Sequence, residues 1–165
     1  MDIQKLLDDH DFILTEAAVI ETLRRSATFA LHPRLENALL IYEEKGRKAL
    51  SNLYHGFVDV AHRRGVPILV CTPTWRANQE RTLAANCSDA LNEDAVRFIE
   101  QFRQGWGAWV SNILIGGLIG CKNDCYNPGE GLSVDEAKVF HSSQPNHLAN
   151  AKVDFFMAAT LPAVP

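Results

Sequence analysis

Cys121 and Cys125, spaced Cys-x3-Cys with Asp124 between them and His141 downstream, have the side-chain types of a divalent-metal site. The spacing is looser than the Cys-x2-Cys of a zinc ribbon and no second cysteine pair accompanies it, so two loop thiols are the simpler reading. The other cysteines, Cys71 and Cys87, are too scattered for a disulfide framework, and Cys71 reads as a small buried apolar residue. His55 and His62 lie seven residues apart on or near the core-facing side of a long helical stretch. With no carboxylate at ligand spacing, they read as structural histidines. No Ser-His-Asp order, Gly-x-Ser-x-Gly elbow, G-x-G-x-x-G turn or phosphate-binding Lys loop is present, which disfavours acyl transfer and nucleotide binding.

The elements that must position these groups follow from hydropathy. Apolar runs at 12–14, 66–72, 112–119 and 153–159 predict four strands, the second and third buried on both faces. Pro67 is tolerable only at a strand start, and Gly116 and Gly117 suggest close backbone approach within the third strand. Between them, 17–25, 35–44, 46–64 and 92–103 predict helices. Leu50, Leu53, Tyr54, Phe57, Val58 and Ala61 form one stripe on the longest, which Gly65 ends, and Asn92 is expected to cap the last. Residues 74–86 are polar and read as a connection. Ser133 and Glu136 have the form of a capping box opening a helix through His141, and Pro145 predicts a kink or break beyond it. Alternating strands and helices predict right-handed βαβ units on a parallel sheet.

The chain's 165 residues allow one domain. Sixteen Lys and Arg against 20 Asp and Glu, with no basic cluster, leave no footprint for nucleic acid or an anionic membrane. The most apolar stretch, 110–121, is far short of the roughly 20 residues a spanning helix needs. The acidic N-terminus lacks the form of an export signal. A cytoplasmic location is expected.

Several segments resemble the homocysteine S-methyltransferase family of zinc-dependent (β/α)8 barrels. FILTEAAVIETLRR (12–25) is similar to the family's first strand and turn, and GVPILVCTPTWRAN (65–78) to its second strand. IGGLIG (115–120), LSVDEAKVFH (132–141) and VDFFMAATLP (153–162) resemble the third strand, the following helix and the fourth strand. The resemblance implies that residues 1–165 are the N-terminal half of an incomplete TIM barrel of about four parallel strands, since a complete one needs about 250 residues. It implies methyl transfer to a small-molecule thiol in a longer form, with this chain inactive alone. The family's zinc thiolates come from strands six and eight, so it implies no metal ligand and no cofactor within this chain. A non-catalytic half-barrel is the alternative, a binding or scaffold protein forming a homodimer through its open sheet edges.

In such a barrel chemistry sits at the C-terminal strand ends, which directs attention to Thr15, Glu16, Thr72, Thr74, Cys121 and Thr160. Glu16, Glu21, Thr72, Thr74 and Thr160 are the expected substrate-binding residues; no metal-binding residue is expected. Against that reading, Thr72 and Thr74 suit turn capping, Glu16 and more firmly Glu21 suit solvated helix-start carboxylates, and Trp75 suits core packing better than a pocket mouth. Two departures from the family stand out. Thr15-Glu16-Ala17 replaces its Asp-Gly-Gly, displacing the carboxylate by one residue and so toward the opposite strand face, and Ala159 replaces the fourth-strand Glu. Each lost carboxylate removes a charge-assisted hydrogen bond of roughly 1.5–3 kcal/mol to an ammonium, which argues against homocysteine itself.

Overall fold

The computed structural model describes residues 3–26, 29–88, 90–123 and 125–161; Asp124 and Pro162, which entered the sequence reading, lie outside them. Four strands, β1 (Leu14–Thr15), β2 (Ile68–Cys71), β3 (Ile113–Ile119) and β4 (Phe155–Ala158), form one parallel sheet in sequence order. The half-barrel predicted from the sequence is therefore present, with each strand shorter than its apolar run. In register, Leu14 lies opposite Ile68, Ile68 opposite Ile113, and Gly116 opposite Phe155. Pro67 stands just before β2, where its carbonyl accepts from the Leu14 amide at 3.0 Å.

The helices are α1 (Ile3–Asp9), α2 (Val19–Arg25), α3 (Glu44–Arg64), α4 (Gln79–Ala84), α5 (Leu91–Gln104), α6 (Val134–His141) and α7 (Ser143–Asn150). On α3, Leu50, Tyr54, Val58 and Ala61 are buried, and Gly65 closes the helix in the left-handed region at φ 65°. The first turn of α3 packs against a 3-10 turn at Ala38–Tyr42, so closely that a Cβ on Gly46 would lie 2.4 Å from the Leu40 carbonyl oxygen. That tighter turn replaces the helix expected over 35–44. α6 opens with the predicted capping box: the Ser133 amide donates to Glu136 Oε2 at 2.9 Å, and the Glu136 amide to Ser133 Oγ at 3.4 Å.

Four local expectations are corrected. Helix α4 occupies what reads as a polar connection; Asn78 caps it, accepting from the Arg81 amide at 3.0 Å. Asn92 is not a cap but lies buried inside α5, donating to the Ala77 carbonyl at 2.9 Å. Pro145 falls in the first turn of α7, where its missing N–H costs nothing, and the break comes before it at Ser142. The tight contacts at Gly116 and Gly117 are with side chains: an added Cβ would meet the Phe155 ring at 2.4 Å and Leu148 at 3.0 Å respectively.

His55 and His62 face solvent, not the core. They lie against indoles, His55 tilted with its ring centroid 4.9 Å from Trp106 and His62 edge-on at 5.0 Å from Trp109. Among the described residues, no helix is long and apolar enough to cross a membrane.

Candidate functional site

A cavity of about 640 Å³ opens at the C-terminal ends of the strands. β1 brings Thr15 and Glu16 to it, β2 brings Cys71 and Thr72, β3 brings Leu118, and β4 brings Met157, Ala159 and Thr160. Tyr54 of α3 closes the floor, and Glu21, Arg24 and Glu36 stand at the rim.

Glu16 is half-buried, and its carboxylate oxygen Oε2 is shut off from solvent with no hydrogen-bond partner in the protein. Burial pushes its pKa upward, against the opposing pull of the Cys71 amide, its own amide and the Cys71 thiol. The residue follows the last residue of β1, so the alternation that would turn it to the other face no longer applies. Neighbouring groups feel the same environment. Cys71 is held far above the ordinary thiol range, first by burial and then by the Glu16 charge and hydrogen bond. Tyr54, fully enclosed, is likewise raised, and its hydroxyl donates to the Cys71 carbonyl at 3.2 Å.

A folded-state pKa above the ordinary 4.5 means that Glu16 stabilises the fold fully below that pH, and that this contribution fades as pH climbs through the raised value. Glu16→Gln is thus expected to gain stability relative to the parent as pH rises from about 4 to about 7. Urea midpoints at the two pH values measure it; an unchanged difference would count against burial as the dominant influence.

The remaining expected site residues divide. Thr72 and Thr160 line the cavity, whereas Thr74 lies behind it. The Leu118 amide donates to Thr72 Oγ1 at 3.1 Å, and Thr74 Oγ1 donates to the Leu118 carbonyl at 2.8 Å. With the Thr74 proton committed, the 2.7 Å contact between the two hydroxyls must be Thr72 donating to Thr74. Both threonines thereby tie β2 to β3. Thr160 accepts from the Trp75 indole N–H at 2.8 Å, which draws Trp75 to the cavity wall, where core packing seemed the simpler reading of its sequence. Thr160 holds a left-handed backbone at φ 57°, a strained state for a β-branched residue. Glu21 is exposed, pairing with Arg24 at 2.9 Å and Arg25 at 2.7 Å, and these partners hold its carboxyl below the usual range.

Asn37, Met157 and Tyr126 also line the cavity, and sequence reasoning passed them over; Cys125, read there as a loop thiol, lines it too. Asn37 follows a left-handed Glu36, an inconspicuous signal in the sequence.

Cys71 and Cys121 do not suit a zinc centre. Burial, first, and the neighbouring Glu16 keep Cys71 in its thiol form, and Cys121 Sγ donates to the Asn123 carbonyl at 3.1 Å. Among the described residues no three His, Cys, Asp or Glu side chains gather closely enough to hold a metal ion.

Comparison with known proteins gives two results. A family described as homocysteine S-methyltransferase matches residues 10–165. Two solved structures of the homocysteine methyltransferase MmuM from Escherichia coli are similar in fold, each at 19% identity over 97% of this chain: the metallated form with TM-score 0.73 and the oxidized form with 0.71. The chain spans 57% and 56% of those chains. No curated protein matches it.

Proposed function

We propose, since the chain belongs to the homocysteine S-methyltransferase family, that it contributes the N-terminal half of a barrel that methylates a small thiol in a longer form. The observation carrying this reading is a cavity at the strand ends with a buried, unpartnered carboxylate oxygen of Glu16 at its side. Methyl transfer to a thiol requires the S–H proton to leave before sulfur attacks the methyl carbon and the donor departs. A buried carboxylate at the strand ends can hold a polar group of the thiol substrate in place while that proton leaves. Tyr54, Leu118 and Met157 supply an apolar bed for the thiol's carbon chain. Thr72 and Thr160 face the substrate, Thr74 positions Thr72, and Glu21 shapes the rim. We place any metal ligands in the other half and read the present chain alone as not competent.

The test is thiol methylation by the 165-residue chain and by a version fused to the C-terminal half of a solved relative. Product from the fused form alone is expected; product from the short chain would contradict its incompetence, and a fused, folded barrel that methylates no thiol would overturn the reading. A second reading, a dimerising scaffold, is favoured by the free outer edges of β1 and β4 and by Phe156, 46% exposed. A defined dimer on gel filtration, without methylation by the fused form, would favour it.

A further inference from the structure

The charges around the cavity are unbalanced. Among the described residues, three carboxylates, Glu16, Glu21 and Glu36, line it against one guanidinium, Arg24, and no lysine, histidine or aspartate joins them. Arg24 is spent at the rim, 2.9 Å from Glu21 and 3.1 Å from Glu36. Glu16 therefore has no cationic partner, and its Oε2 has no partner of any kind among the described residues. The walls are apolar or aromatic, with Leu118, Met157 and Trp75 among them. One face of Trp75 already carries the Arg76 guanidinium, 4.1 Å from the ring centroid, so it is the apolar walls together with the negative field that favour a cation with a short hydrocarbon body. A ligand carboxylate would meet repulsion from Glu16, and Arg24, the guanidinium among the described lining residues, is already paired with Glu21 and Glu36.

We infer that the strand-end cavity selects a net-cationic small molecule, an alkylammonium whose charge pairs with Glu16, over zwitterionic or anionic ligands of the same size. Resting on the thiol-methylation reading, this narrows the acceptor to an aminothiol without a carboxylate. The ammonium displaces the proton that burial otherwise favours on Glu16, so its binding strengthens as pH rises from the acidic side.

Isothermal titration of the 165-residue chain with n-propylammonium, cysteamine and 3-mercaptopropionate tests it. Both cations are expected to bind at least tenfold more tightly than the anion. Glu16→Gln, with its folding checked by thermal melting, is expected to weaken cysteamine at least fivefold while leaving 3-mercaptopropionate no weaker. Should Glu16→Gln not fold, the pH dependence of propylammonium binding to the parent decides, flat affinity between about pH 4 and about pH 7 overturning the proposal. Equal affinity for cation and anion, no binding of either cation, or an unchanged cysteamine affinity in the folded variant would also overturn it. Propylammonium carries no thiol, so its binding is independent of methyl transfer. Conversely, methylation of 3-mercaptopropionate in preference to cysteamine by a longer form would reject cation selection and leave thiol methylation standing.

Discussion

Tyr54→Ala is expected to cost about 4 kcal/mol of folding stability, read as a fall in the urea midpoint at unchanged slope. Tyr54 is 1% exposed at the middle of the α3 stripe, with its ring 5.9 Å from that of Phe102. It is both the floor of the cavity and part of the core behind the sheet. Truncation removes the ring's transfer free energy and leaves a void that rigid β2 cannot fill. Tyr54→Phe keeps the ring and loses only the bond to the Cys71 carbonyl, so about 1 kcal/mol is expected. A loss of under about 1 kcal/mol for the alanine variant would mean that the floor collapses onto the gap.

Asp154→Ala is expected to cost about 2–3 kcal/mol, measured in the same way. Asp154 precedes β4, and its Oδ2 accepts from the Arg103 guanidinium and from the Ile115 amide, each at 2.7 Å. One carboxylate therefore joins α5, β3 and the entrance to β4. Asp154 and Arg103 are 18% and 20% exposed, so removing the acid leaves a largely desolvated guanidinium whose Nε already lacks a partner. Glu100 also pairs with Arg103 and keeps the cost below that of a fully orphaned charge. The exposed pairs of α2, such as Arg25 with Glu21, are screened by solvent and contribute little by contrast. A loss for Asp154→Ala no larger than that of breaking an exposed pair would show solvent screening to dominate here too.

The parallel sheet was legible because a strand covered on both faces must be apolar throughout, as 68–71 and 113–119 are, whereas the stripe on α3 recurs at helical spacing. The polar helix α4 escaped because six residues carry too little periodicity; Asn78, three residues before the amide it caps, was its one signal. Asn92 resembles a cap by type, yet a buried partner, the Ala77 carbonyl, claims it from a loop distant in sequence. The cavity was legible as strand ends, but not its burial. Whether Glu16 is solvated depends on Tyr54 and Cys71 closing around it, and that depends on tertiary distance, which spacing in one sequence does not encode. Trp75 was misjudged for the same reason, its indole partner lying 85 positions away.

Because β1, β2, β3 and β4 each add beside the strand made just before, the sheet can accrete in the order of synthesis. A nascent chain leaving the ribosome needs only its last completed unit as a template. The longest wait falls at the beginning, since Leu14 finds its first partner, Ile68, only after α3 has been translated. During that interval the α2 and α3 segments are the ones a chaperone would meet.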